Sequence, residues 1–448
     1  MRKLPATALA FLALFAALAA AALGVLSLPW VKPHGAAPPR IDAISRGSGP
    51  LSAGVGVAPI DVPLGAPIAG FAHLGYRSDG ADPVSARALV ISSGDLRVAI
   101  VSAEILLVPD SLRAAVLARI VGLPLSGVIL AATHTHASPG GYYENFVAER
   151  AGLGPYDPGM RDLVANAMAE AVRRAVATEG PARLSIGRGR APELVSGREG
   201  ADRDGRLTVL RLDRPGGQPL AELTVFASHP TTLGIHNRRI SGDWPAHFFA
   251  RSEHGVRLLL QAAVGDQGAW MADARGPLTP ENYGAAVNAA VEALSFSPPQ
   301  SAPPLAYAAA EVPLPTPSPP MIPGPLRQAA VNLVSGMLPG EARVSALRIG
   351  PVLLLDAPGE VMSQLATRWR EMAGPGAEVV SLADGYLGYL DTAERTRSGA
   401  PHPERFYYGA ALAPALERGL SMVVGAVEEG AEEGRPEAAS DTGASRRH

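Results

Sequence analysis

The 448-residue chain is 47% hydrophobic and carries a formal net charge of −3. That is ample apolar material for one large domain or two ordinary ones, and the near-neutral balance excludes an extended nucleic-acid surface. The chain has no cysteine, which excludes disulfides and thiolate metal sites, so any metal must be held by histidine, carboxylate or phenolate.

Met1-Arg2-Lys3 precedes an uncharged stretch rich in Ala, Leu and Phe that runs to about Trp30. A positive start and an apolar run fit a secretory signal, and the run is long enough to span a bilayer. Residues 1–30 are therefore predicted to be a cleaved signal peptide or an uncleaved signal anchor. Arg2 and Lys3 would stay cytoplasmic, so the rest would be exported to a periplasmic or extracellular space. An uncleaved segment would tie the protein to the membrane. Residues 31–52 are rich in Pro, Gly and Ala and read as a linker. Residues 53–428 read as the folded domain. Residues 429–448, acidic and then small and polar, read as a disordered tail.

Within the domain, Ser52 to Pro59 reads as a first strand. Ala86–Ile91 and Val98–Ser102 suggest a hairpin around Ser93-Gly94-Asp95. Leu112 to Val121 has helical apolar spacing, with Asp110 or Ser111 as a cap. A long amphipathic helix is expected from Asp157-Pro158 to Thr178, with proline in its first turn. Strands follow around Leu184 and over Leu207 to Leu212, separated by Gly197-Arg198-Glu199-Gly200. Helices are expected near Pro245 to Glu253, Glu281 to Leu294, Leu326 to Met337, Val361 to Met372 and Ala413 to Val427. The proline-dense stretch from Ser297 to Pro325 reads as a surface excursion around one strand, Ala306 to Val312. The alternation of strands and helices predicts an α/β fold in a single large domain.

One pattern carries chemistry. Val128–Ala132 is an apolar run that ends in Thr133-His134-Thr135-His136, with Pro139-Gly140-Gly141 forcing a loop. In an extended chain residues i and i+2 share a face, so His134 and His136 are expected to converge. Leu223–Ser228 ends in His229-Pro230, Leu258–Val264 in Gly265-Asp266, Val352–Asp356 in Ala357-Pro358-Gly359-Glu360, and Val379–Ala383 in Asp384-Gly385-Tyr386. Ligands of open α/β sheets gather at the carboxyl ends of strands. Five strand ends carrying imidazole, carboxylate and phenol predict one shared site there.

These residues also carry a resemblance. Thr133-His134-Thr135-His136-Ala137-Ser138-Pro139-Gly140-Gly141, His229-Pro230-Thr231, Pro358-Gly359-Glu360 and Tyr386-Leu387-Gly388-Tyr389 with Thr392 resemble, in order, the signature of the neutral/alkaline (non-lysosomal) ceramidase family, in its catalytic N-terminal domain. The likeness runs from about Gly54 to Pro414. It implies two central mixed β-sheets flanked by helices. It also implies a zinc ion (Zn2+) held by His134, His229, Glu360 and Tyr389. Tyr386 is the close competitor of Tyr389, because the motif places two tyrosines three residues apart. Members of this family commonly carry a further immunoglobulin-like C-terminal domain, for which this chain is expected to leave no room.

The implied activity is zinc-dependent amide hydrolysis. The substrate would be ceramide or a related N-acyl lipid or small molecule, giving a fatty acid and a free amine. His136, beside His134, is the candidate for proton transfer. Arg198 would stabilise an oxyanion or hold a substrate oxygen, Tyr407 lines up with a tyrosine that contacts the site, and Asp266 is a second group able to handle protons. Asp243, in Ser241-Gly242-Asp243, reads as a structural carboxylate. One departure stands out. The family pattern Gly-Asp-x-Ser-Pro-Asn is here Gly265-Asp266-Gln267-Gly268-Ala269-Trp270. Gly268 replaces the family serine, so attack by metal-activated water is expected. Trp270 replaces a small polar side chain, which reshapes the pocket for another acyl or head group. The alternatives are a same-fold amidase or esterase on a soluble substrate, and a non-catalytic lipid- or metal-binding envelope protein.

Overall fold

In the computed structural model, residues 37–71, 77–271, 278–318, 335–399 and 402–432 are described, with isolated residues 15, 21, 24, 328, 329, 331 and 332. The N-terminal signal or anchor thus lies almost wholly outside the described residues, as does the tail beyond residue 432.

The longer apolar runs are strands buried on both faces, whereas the edge strand at residues 40–46 has no fully buried residue. The strands are β1 (Arg40–Arg46), β2 (Ser52–Pro59), β3 (Ser85–Ser93), β4 (Leu96–Ala103), β5 (Gly127–Ala132), β6 (Arg183–Arg190), β7 (Val195–Gly197), β8 (Arg206–Asp213), β9 (Pro219–Phe226), β10 (Val256–Gln261), β11 (Gln267–Ala269), β12 (Leu305–Pro313), β13 (Glu341–Ile349), β14 (Val352–Asp356), β15 (Glu360–Val361), β16 (Ala377–Val380) and β17 (Tyr389–Leu390). The principal helices are α1 (Asp110–Arg119), α2 (Pro158–Ala177), α3 (Trp244–Phe249), α4 (Pro280–Glu292), α5 (Ser363–Ala373) and α6 (Leu412–Glu432).

Three main sheets form, ordered β5-β4-β3-β2 with Gly180–Pro181 at its edge, β6-β8-β9-β10, and β1-β12-β13-β14-β16. The last two meet edge to edge, where Ser381 N donates to Gln261 O at 2.8 Å. Together they make one layer that packs on the first sheet. Leu89, Ile100, Leu223, Leu258, Tyr307 and Leu354 share the buried cluster between the layers. α1 and α2 cover the outer face of the first sheet. On the far side α3 and α4 cover β6-β8-β9-β10, and α5 and α6 cover the remaining sheet. The α/β fold with two central mixed layers flanked by helices is therefore found, the second layer being built from two sheets.

Local chemistry explains the closest packing. Asp157 caps α2 by accepting from Gly159 N, and Pro158 opens its first turn. α2 lies against β2 because Gly54 and Gly56 lack side chains. A Cβ at either would sit 2.1 Å from a helix carbonyl, Ala175 O or Ala171 O.

Each sheet contains one parallel pair, β4–β5, β9–β10 and β14–β16. Their carboxyl ends open onto the same side and deliver the candidate residues.

Five differences from these expectations appear. The linker over 31–52 is interrupted, because residues 40–46 form β1 at a sheet edge. Its charges pair with β12 and β13, Arg40 with Glu311 and Asp42 with Arg343. The surface excursion from Ser297 to Pro325 is instead built around an interior strand, since β12 is buried between β1 and β13. Its prolines flank the strand, and the one within it, Pro313, is the strand's last residue. β13 was not expected. Charges at Glu341, Arg343 and Arg348 break up its apolar run, yet Ala342, Val344 and Ala346 alternate inward. In the helix expected over Leu326–Met337, residues 328, 329, 331 and 332 are helical and Ser335–Met337 is a single 3-10 turn. The rest lies outside the described residues. α6 runs to Glu432, past the expected boundary at residue 428.

Candidate metal centre

β5 stops at Ala132, and Thr133 N and His134 N donate to Ala103 O at 2.8 Å and Ile105 O at 3.0 Å. His134 then takes φ 70°, the left-handed region that residues with a Cβ rarely enter. His134 and His136 therefore converge through a turn, not through a continued strand. Their Nε2 atoms are 3.4 Å apart.

His134 Nδ1 lies 2.7 Å from Leu106 O, and His229 Nδ1 lies 3.0 Å from Gln267 O. A carbonyl can only accept, so each Nδ1 carries the proton and each Nε2 turns a lone pair inward. Glu360 meets them. Its Oε2 is 3.1 Å from His229 Nε2 and 3.3 Å from His134 Nε2. Glu360 lies on β15, directly opposite Tyr389 on β17. Tyr386 Oη donates to Glu360 Oε1 at 2.8 Å. With metal–ligand bonds of ~2.0–2.1 Å, donors around a tetrahedral zinc stand about 3.3 Å apart. The separations found here match that edge, and His134, His136 and His229 form a group able to hold a metal ion.

The electrostatics agree. Burial alone would raise the Glu360 carboxyl, but His134 and His229 hold it well below its ordinary value. Burial lowers His229 to about 4, helped by the Arg198 guanidinium. Burial, His134 and His229 push His136 well below its ordinary value, and its Nδ1 is buried with no hydrogen-bond partner among the described residues. Burial and the Glu360 carboxylate raise both Tyr386 and Tyr389 well above the ordinary phenol value. A phenolate there needs a dication beside it.

The remaining candidates fall on different sides of this centre. The Arg198 guanidinium is half-buried and feels the Glu360 and Tyr389 charges, and no carboxylate pairs with it among the described residues. Tyr407 is half-buried, packs over Gly388 and is pushed up to about 12 by burial and by Glu360. Asp266 does not join the cluster. Its carboxylate accepts from Ser363 N at 3.1 Å, Ser363 Oγ at 2.7 Å and Gln267 Nε2 at 3.0 Å, which ties the start of α5. Asp243 caps α3 through Trp244 N at 2.7 Å. Sequence reasoning missed the Leu106 and Gln267 carbonyls, which carry no side-chain signal. It also missed Ser196 and Arg405, whose guanidinium lies 5.0 Å over the Tyr389 ring. A second group, Glu222, His254 and Glu292, already pairs with Arg211 and Arg257 and is an ion-pair network.

The sequence profile described as neutral/alkaline non-lysosomal ceramidase, N-terminal, matches residues 52–288, more than half of the chain. The chain belongs to this family. Among neutral ceramidases, the protein of Mycobacterium tuberculosis is 28% identical over 218 residues, covering 42% of this chain and 34% of its own length. Neutral ceramidase A of Dictyostelium discoideum is 28% identical over 131 residues, covering 26% of this chain and 18% of its own. The chain thus aligns with about a third or less of these relatives. The crystal structure of neutral ceramidase from Pseudomonas aeruginosa superposes with a TM-score of 0.72 at 18% identity, covering 85% of this chain and 75% of that one, a likeness of fold. The ceramidase profile spans His134, His136, Arg198, His229 and Gly268. Glu360, Tyr386, Tyr389 and Tyr407 come to the same centre from beyond it.

Proposed function

We propose that this protein is a zinc-dependent amidohydrolase that cleaves the N-acyl bond of ceramide or a related N-acyl lipid, releasing a fatty acid and a free amine. The observation that carries the proposal is the convergence of His134 Nε2, His229 Nε2 and Glu360 Oε2 at tetrahedral-edge separations. Family membership supports the reaction class.

In this reading His134, His229, Glu360 and Tyr389 hold the ion. Zinc supplies Lewis acidity toward the amide carbonyl and makes a water acidic enough to attack near neutral pH. His136 contributes the third imidazole, its Nε2 3.4 Å from that of His134, and would take the proton from the attacking water. Arg198 offers N–H donors to the oxygen on which charge develops. Tyr407 closes the site on the Gly388 side. Asp266 acts at a distance, by fixing α5 behind Glu360. Gly268 leaves no side chain to act as nucleophile from its position. A soluble, anionic N-acyl substrate is a second reading, favoured by the absence of a carboxylate partner for Arg198 among the described residues. The apolar N-terminal stretch supports export, with the folded domain, from the strand at Arg40 to the helix ending at Glu432, outside the cytoplasm.

A substrate panel tests the function. Short- and long-chain ceramides and N-acyl amino acids would be offered to the domain lacking residues 1–30, with and without a chelator. Chelator-sensitive release of fatty acid from ceramide is expected. Release from the N-acyl amino acids alone would discard the lipid assignment, and a domain that binds no metal would end the proposal.

A further inference from the structure

β7 and β11 pair antiparallel with Ser196 directly opposite Gly268, and Gly268 in turn bridges to His229. Directly paired residues present their side chains to one face of a sheet. His229, Gly268 and Ser196 thus form one row, and the glycine leaves its middle bare. Arg198, two residues beyond Ser196, falls on the same face. The packing agrees. A Cβ on Gly268 would lie 2.8 Å from Ser196 Oγ, 3.1 Å from Arg198 Nε and 3.5 Å from Arg198 Nη2. The Ser196 hydroxyl is half-buried and, like the Arg198 guanidinium, makes no hydrogen bond among the described residues. Two unspent donors therefore lean over a bare backbone, one residue pair from a metal-site histidine.

We propose that Ser196 and Arg198 form a two-donor cradle for the scissile carbonyl oxygen over Gly268, and that glycine is required there to admit them. The inference rests on the amide-hydrolysis reading and adds to it Ser196, a catalytic hydroxyl delivered from the neighbouring strand. Oγ–H and Nε–H both donate, so charge building on the oxygen is met without a covalent serine step. A side chain at position 268 crowds the Ser196 hydroxyl first, at 2.8 Å, and asks the Arg198 guanidinium to give by only a few tenths of an ångström.

The test compares zinc-loaded wild type with Ser196→Ala, Gly268→Ser and the reciprocal pair Ser196→Gly/Gly268→Ser. Two readouts are taken: kcat and KM on a long-chain N-acyl amine, and calorimetric affinity for a long-chain phosphonamidate, whose tetrahedral phosphorus mimics the attacked carbon. Ser196→Ala is expected to lower kcat roughly a hundredfold with little change in KM, and to weaken phosphonamidate binding in parallel. Gly268→Ser alone is expected to be impaired. The reciprocal pair, which returns one hydroxyl to the same face, is expected to recover most of the loss. A Ser196→Ala protein within about threefold of wild type in both kcat and phosphonamidate affinity would overturn the cradle. So would a Gly268→Ser protein as active as wild type. If wild type hydrolyses no amide, the functional reading fails by itself. Phosphonamidate affinity still decides the cradle in that case, and no binding to wild type overturns it too.

Discussion

At the residue scale, backbone carbonyls hold two imidazoles of the candidate centre in one tautomer. Leu106 O and Gln267 O aim the Nε2 atoms of His134 and His229 at the Glu360 carboxylate. The two tyrosines are separable by experiment. Tyr389→Phe is expected to cost more zinc affinity than Tyr386→Phe, for which about 10–100-fold is anticipated as the loss of a hydrogen bond to a ligand. Competition against a chelating dye measures both, and the reverse order would make Tyr386 the ligand. Asp356, buried near Asp384 and Arg343, makes a pH prediction. Burial, then the Asp384 charge, raises its carboxyl to about 8, against about 3.9 in an unfolded chain. The folded protein therefore keeps a proton that the unfolded chain has lost, and stability from this group falls as pH rises from about 4 toward 8. Asp356→Asn is expected to flatten that slope in melting temperatures taken between pH 5 and 8. Parallel curves for the two proteins would refute the assignment.

At the element scale, strand ends set the site and close approach sets the layers. The imidazole and carboxylate positions were legible because apolar runs stop abruptly at them, a signal that needs only the sequence. The turn at His134 was not legible, since nothing local announces a left-handed histidine. It follows from hydrogen bonds to Ala103 and Ile105, which are distant in sequence. Strands β1 and β13 were missed for a related reason. β1 is an edge strand held by backbone pairing with β12, and β13, interior to the sheet, has its inward alternation masked by Glu341, Arg343 and Arg348. Asp266 was placed at the right strand end, yet it turns toward Ser363, which no spacing rule foretells. The glycine contact between β2 and α2 gives a stability prediction. Gly56→Ala puts a Cβ 2.1 Å from Ala171 O, and a backbone carbonyl cannot swing aside as a side chain would. A loss of about 1–3 kcal/mol is expected. Thermal unfolding would show it, and an unchanged melting temperature would contradict the packing.

At the scale of the whole molecule, two β layers and two helical shells bring together residues from 134 to 407. A ligand that binds only the folded state raises its stability. Because the proposed zinc ligands come from both layers, chelation is expected to lower the melting temperature as well as activity, and added zinc to restore both. The fold class was legible from the alternation of elements and from the motif order. The edge-to-edge joining of two sheets into one layer was not, because it rests on contacts such as Ser381 N to Gln261 O that leave no periodic trace. One measurement tests the zinc amidohydrolase most directly: zinc content of the purified domain together with chelator-sensitive fatty-acid release from ceramide, in wild type and His229→Ala. About one zinc per chain with ceramide hydrolysis in wild type, and loss of both in His229→Ala, is the expected result. Ceramide hydrolysis that survives chelation or the His229→Ala change, or a wild-type domain that holds no metal, would contradict it.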